Sequence, residues 1–194
     1  MWRRVLSIQL SAATWALVVG CQPHAGAPAA PAQVPPRPAA PSPNFIGNGD
    51  LSRGTAPWGA TALMASGARE LKTQLRDGAL CVSLPAHNAL ILGWPVDGSP
   101  DRLSITAGHR YQLSLRASST SAALDCVAKV GHQLPPYTAV SVAPMTLTPS
   151  FQLFQFPFAA DHDDDRAGIA VECRAAPGSS DADVCIDDVV FVAL

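Results

Sequence analysis

The sequence predicts an all-β domain, a sandwich or barrel, spanning residues 44–194. Three observations carry this prediction. Short runs of β-forming residues, eight or more of them, recur between turn signals along this stretch. Several runs alternate apolar and polar residues with period two, the pattern of a strand buried on one face. No segment of the stretch shows a sustained helical period: 66–76 contains helix formers but no apolar stripe.

The elements follow in order. Ala79–Leu84 is an apolar run closed by Pro85, and 88–93 is a second, ending near Pro95 and the turn signal Asp97-Gly98. Tyr111, Leu113 and Leu115 alternate with Gln112, Ser114 and Arg116, as a half-buried strand requires. Cys126, Ala128 and Val130 alternate with Val127 and Lys129. Phe154, Phe156 and Phe158 alternate with Gln155 and Pro157, the clearest strand of the chain. Pro157 has no ladder donor, so the strand is expected at a sheet edge or with that position turned away from its neighbour. Ile169, Val171 and Cys173 alternate with Ala170 and Glu172, and Val184–Leu194 reads as a final apolar strand interrupted by Asp187-Asp188.

The remaining 43 residues read differently. Met1-Trp2-Arg3-Arg4 followed by an apolar run to Gly20 has the form of a secretory signal peptide over residues 1–20. The run is too short and too rich in Ser and Thr to span a membrane comfortably. It ends Val18-Val19-Gly20-Cys21, the pattern of a bacterial lipobox, whose cysteine carries diacylglycerol; Cys21 is the expected lipidation site. Residues 22–43 hold eight Pro and seven Ala, so 21–43 is read as a lipidated cysteine and an extended spacer. In polyproline II geometry such a spacer reaches up to about 70 Å. A lipid anchor in the bacterial cell envelope is the expected location, and Gln22 rather than Asp after the cysteine favours the outer membrane or cell surface.

Charge and cysteines narrow the function classes. The chain has a formal charge of −2, but all 15 acidic residues and only 10 of the 13 basic ones lie in 44–194, a net of −5. Nucleic-acid binding, which needs clustered Lys and Arg, is not expected. Four cysteines remain after Cys21: Cys81, Cys126, Cys173 and Cys185. An even count in an exported domain reads as two disulfides with three possible connectivities, and no C-x-x-C or suitably spaced His supports zinc.

Asn44-Phe45-Ile46-Gly47-Asn48-Gly49-Asp50-Leu51, followed by Gly54 and Trp58, resembles the opening of family 4 and 9 carbohydrate-binding modules, and Val184-Cys185-Ile186-Asp187-Asp188-Val189 resembles their terminal strand. Between them the segments 78–82, 107–113, 130–137 and 154–158, and 163–165 through Ile169, fall in the family's order. The resemblance implies a galactose-binding-like jelly-roll β-sandwich with one concave sheet. It also implies the bridge Cys81–Cys185, which leaves Cys126–Cys173; the shared buried register of that second pair agrees.

The resemblance further implies sugar binding on the concave sheet. Tyr137 lies at the family's stacking position, and Trp94 is the second candidate platform. If Cys126, Ala128 and Val130 face the core, Lys129 and, from the neighbouring strand, Glu172 face the cleft; with His132 and Gln133 they supply hydrogen-bonding groups. Lys129 and Glu172 also suit a cross-strand pair. Val127, Gly168 and Ala170 occupy cleft positions where family members usually carry Arg, Asn or Gln. A structural calcium near the chain ends is implied as well, through Asp50 and Asp187, although Ser52 stands where the family has an acidic ligand. The run Asp161-His162-Asp163-Asp164-Asp165 reads as a solvated charged turn.

No nucleophile motif appears, and residues 1–43 leave no room for a catalytic domain. The expected function is non-catalytic binding of a polysaccharide or glycan by a monomeric, membrane-anchored lipoprotein. The alternatives are a structural or adhesion lipoprotein using the fold for protein contacts and, last, a small glycosyl hydrolase.

Overall fold

The computed structural model describes residues 43–95, 99, 101–132, 134–176 and 179–194. The signal segment, Cys21, nearly all of the spacer, the Asp97-Gly98 turn signal and Gln133 lie outside the described residues.

Twelve strands and no helix form among the described residues. In chain order they are β1 (Gly59–Met64), β2 (Gly67–Leu71), β3 (Gln74–Arg76), β4 (Ala79–Leu84), β5 (Ala89–Trp94) and β6 (Leu103–Ile105). Then come β7 (Arg110–Ser119), β8 (Leu124–His132), β9 (Ala139–Leu147), β10 (Gln152–Ala159), β11 (Asp164–Arg174) and β12 (Ala182–Ala193). All pair antiparallel, in two sheets. The first runs β2-β1-β5-β11-β8-β9, with β6 on the first residues of β11; the second runs β10-β7-β12-β4-β3. The expected sandwich is therefore present, and the 66–76 stretch with its helix formers holds β2 and β3 instead.

Each sheet sends alternate residues inward. Leu90, Leu92, Trp94, Ile169, Val171, Ala128 and Val130 come from the first; Leu80, Val82, Leu113, Leu115, Ile186 and Phe191 come from the second. Burying each Val, Leu, Ile or Phe among them is worth about 1.5–3 kcal/mol, and the two inner faces close over one core. Phe154, Phe156 and Phe158 pack on that core from β10, which is an edge strand, one of the two placements Pro157 allows. Phe191 stacks on Tyr111 with ring centroids 5.4 Å apart.

The disulfides are Cys81–Cys185 and Cys126–Cys173. In each, the two cysteines sit directly opposite one another on neighbouring strands, β4 with β12 and β8 with β11. Their Cα atoms are 4.1 Å apart, the close approach of a non-hydrogen-bonded antiparallel pair. Cys126 and Cys173 belong to the core, whereas Cys81 and Cys185 lie on the outer face of the second sheet, alternating with the core residues Leu80, Val82, Val184 and Ile186.

The interruption at Asp187-Asp188 is a β-bulge. The register of β12 against β7 shifts between Asp187 and Val190, and Asp188 takes φ 49°. The extra residue changes parity, so Val184 and Ile186 point inward before it and Val189 and Phe191 after it. Both carboxylates then face Arg116, at 3.8 and 3.4 Å.

The chain enters the sandwich through a loop organised by two asparagines. Asn44 donates from Nδ2 to Val189 O and accepts from the Phe191 and Ile46 amides through Oδ1. Asn48, almost fully buried, donates to Gly54 O and Ala56 O at 2.8 Å each and accepts from Arg53 N at 2.9 Å. Gly49 lies so close to β12 that a Cβ there would sit 2.0 Å from Val189 O. The opening motif is thus a set of backbone staples around the start of β1.

Candidate binding groove

The outward face of the first sheet carries the candidate site. Its register sets Gly59, Gly93, Ala170, Lys129 and Val142 side by side, one from each of β1, β5, β11, β8 and β9. The next row is Thr61, Ile91, Glu172, Val127 and Pro144. Glycine and alanine in the centre of the first row leave the sheet surface low there, and longer side chains stand around it. The result is a cavity of about 460 Å³ lined by Thr61, Ile91, Ala170, Lys129, Glu172, His132 and Tyr137. A second hollow of about 540 Å³ shares Thr61, Ile91 and Tyr137 and extends to Trp58 and Pro95. A third, of about 290 Å³, shares Leu63, Ile91 and Glu172 and extends to Asp125 and Arg174. Together they form a trough open to solvent along the sheet.

Tyr137 is placed by the β8–β9 connection. The chain folds back on itself, with His132 N donating to Thr138 O at 2.8 Å and Tyr137 N to Leu134 O at 2.7 Å. Gly131 permits this: a Cβ there would lie 2.4 Å from Thr138 O and 2.7 Å from the Ala139 Cα. Tyr137 is 62% exposed, an aromatic face presented to the trough instead of to the core.

Lys129 and Glu172 come together at 2.8 Å, a diagonal cross-strand pair with both side chains about one-third exposed. They form the salt bridge that sequence spacing allows and still line the cavity, so the pair offers a donor and an acceptor side by side. His132 ends β8 on the other side of Lys129 from Glu172, its Nδ1 2.9 Å from Asp164 Oδ1.

Three of the sequence-derived residues therefore converge: Tyr137, Lys129 and Glu172. His132 borders the cavity, but it pairs opposite inward Ala167 and has the parity of buried Val130. Gln133 lies outside the described residues. Trp94 does not belong to the site. It shares parity with Leu90 and Leu92, is 1% exposed, and packs against Trp58 at 6.4 Å inside the core. The apolar run over 88–93 hides this parity, because Ile91 on the open face is as apolar as its inward neighbours.

The sequence reading missed Thr61 and Ile91 in the trough, and the burial of Asp164. Thr61 and Ile91 carry no charge or aromatic ring to mark them. Asp164 was hidden in its acidic run. That run is only partly a solvated turn: Asp163 accepts from Ala107 N at 2.7 Å, and Asp164 has a side chain 2% exposed.

The two expected calcium donors are engaged within the protein. Asp50 accepts from both the amide and hydroxyl of Ser52, which hold its carboxyl below the usual value, the backbone bond most. Asp187 faces Arg116 and accepts from Asp188 N. Among the described residues no three His, Cys, Asp or Glu side chains are grouped to hold a metal ion. A calcium ion usually takes six to eight oxygens, several of them from carboxylates.

No protein-family model matches the sequence, and no curated protein matches it. Solved structures do match. A family 4 carbohydrate-binding module superposes with a TM-score of 0.57 at 22% identity, over 74% of this chain and 99% of that one. The N-terminal cellulose-binding domain of Cellulomonas fimi β-1,4-glucanase C gives 0.55 at 23% identity, over 80% and 98%. A family 61 module solved in complex with β-1,4-galactotriose gives 0.52 at 13%, over 79% and 100%. At these identities the likeness is one of fold: the chain is a jelly-roll β-sandwich of the kind that carbohydrate-binding modules build.

Proposed function

We propose that the trough binds a segment of a polysaccharide or other glycan without cleaving it. The observation that carries this reading is the convergence of one exposed aromatic face, Tyr137, with hydrogen-bonding groups from Lys129 and Glu172 over a low floor of Gly93 and Ala170. Sugar rings need an apolar platform for their C–H faces and a few fixed polar groups for their hydroxyls. The fold shared with carbohydrate-binding modules supports it. Binding fits the carboxylates better than hydrolysis does. Glu172 is ion-paired with Lys129 and Asp164 is buried against His132, whereas a glycosidase needs two carboxyl groups flanking the scissile bond.

The test is a glycan array together with soluble β-glucan, run on the chain and on Tyr137→Ala. The wild type is expected to retain at least one glycan. The variant should lose about tenfold or more in affinity, ~1.4 kcal/mol, with an unchanged melting temperature because the ring is mostly exposed. Absence of any glycan ligand sinks the reading in favour of protein contacts, for which exposed Leu63 and Val142 beside the trough provide apolar surface.

Lipidation of Cys21 and display on a bacterial envelope complete the proposal, on the strength of the signal and lipobox pattern. Metabolic labelling with an alkyne fatty acid is expected to mark the wild-type chain and leave Cys21→Ala unmarked; equal labelling of both removes the anchor from the model.

A further inference from the structure

We infer that Gly131 is a positioning residue for the trough: it lets the β8–β9 connection hold Tyr137 in a left-handed backbone conformation, which costs the fold stability and fixes the ring as a preset platform. Tyr137 has φ 55°. A residue with a Cβ adopts that region at a cost, and hairpin connections usually give it to Gly, Asn or Asp. Nothing in the fold offsets the cost. The Tyr137 ring is 62% exposed, and among the described residues no other ring packs against it and its hydroxyl has no partner. A strained residue whose side chain supports no packing points to a role outside the fold. Tyr137 borders both the hollow of about 460 Å³ that includes Ala170 and the hollow of about 540 Å³ that includes Gly93, so it stands where the two meet.

The conformation is imposed from β8. Tyr137 N donates to Leu134 O at 2.7 Å, and His132 N donates to Thr138 O at 2.8 Å, so the backbone is fastened at Tyr137 and at the residue after it. This approach needs position 131 bare. A Cβ there would lie 2.4 Å from Thr138 O, 2.7 Å from Ala139 Cα and 3.1 Å from Val140 N, all of them backbone atoms. Gly131 has no positive φ of its own, so the requirement is space and not conformation. Side-chain rotation cannot relieve such a clash; residues 138–140 must shift, and Tyr137 with them. The register of β9 against β8 slips between Val130 and Gly131, at the same place. A ring whose Cα–Cβ direction is set in advance has less freedom to lose when a ligand arrives, which favours binding. The ligand part of this inference rests on the glycan-binding reading; the backbone cost does not.

The experiment measures melting temperature and affinity on the full chain, with cellohexaose as probe or, where cellohexaose does not bind, the glycan retained on the array. Tyr137→Gly and Tyr137→Asn suit a left-handed backbone and should melt about 2–4 °C above wild type. Both should lose about tenfold or more in affinity. Tyr137→Ala keeps a Cβ, so it should lose the same affinity and melt with wild type. Gly131→Ala should weaken binding to a similar degree, and it should weaken it no further once Tyr137 is already alanine. A Gly131 that merely supports the fold would weaken binding equally in both backgrounds. Melting temperatures at or below wild type in both Tyr137→Gly and Tyr137→Asn overturn the inference, whether or not Gly131→Ala folds. Full affinity in Gly131→Ala overturns it as well. A wild type that binds neither cellohexaose nor any glycan on the array ends the platform role together with the binding reading, whereas glycan binding without the melting pattern sinks this inference alone.

Discussion

Asn48→Ala is expected to lower the stability of the sandwich by about 3–5 kcal/mol. Asn48 makes three hydrogen bonds to backbone that has no other side-chain partner in the loop: to Gly54 O, Ala56 O and Arg53 N. Each is worth about 1 kcal/mol, more where the partner is left buried and unsatisfied. Asn48 also sits at φ 59°, where an alanine Cβ costs roughly 1–2 kcal/mol and asparagine far less. Asn48→Gly separates the two contributions, since glycine relieves the backbone strain and still loses the bonds. It should fall between wild type and alanine, about 1 kcal/mol above the latter. Urea unfolding measures all three. A shift below about 1 kcal/mol for Asn48→Ala would mean that the loop is held by Asn44 and Gly49 alone.

Replacing Cys81 and Cys185 together by alanine is expected to cost more than any side-chain contact. The bridge closes a span of 104 residues, and in the chain-entropy model a loop of that length contributes about 4–5 kcal/mol. The Cys126–Cys173 bridge, spanning 47, contributes about 4 kcal/mol on the same basis. A domain of this size has roughly 5–15 kcal/mol in total. Losing one bridge should therefore leave a folded but easily melted protein, and losing both should leave little folded chain at 37 °C. Denaturation with and without reductant checks this. A fully reduced chain that melts within a few degrees of the oxidised one would place the stability in the core instead.

Much of this architecture was legible because it is written in parity. Cys126 and Cys173 fall in register with inward Ala128, Val130, Ile169 and Val171, so alternation places both in the core, while their pairing was implied by the family resemblance. Phe154, Phe156 and Phe158 declare their strand, and Pro157 declares its edge. Where parity is masked, the reading fails. β1 is built from Gly59, Ala60, Thr61 and Ala62, too small to show an apolar face, and β9 is an edge strand with Pro144 inside it and little of it buried. Trp94 was misplaced for the same reason, since both faces of β5 are apolar. Within the groove, charge and aromaticity pointed to Lys129, Glu172, His132 and Tyr137. Asp164 was beyond reach because residue type does not reveal which member of an acidic run is buried.

The attachment of Asn44 to β12 has a mechanical consequence. Tension arriving along the chain from its N-terminal side is first borne by the bonds of Asn44 to Val189 and Phe191 and of Phe45 N to Phe191 O. Those residues lie on β12, which is flanked by β7 and β4 and covalently tied to β4 through Cys185. The load thus enters the sheet that does not bear the trough. The strands under Tyr137, Lys129 and Glu172 sit in the opposite layer, behind a bridge of their own between β8 and β11. A domain gripping a long polymer while tugged from its N-terminal side would bear the strain in one sheet and keep the shape of its grip in the other.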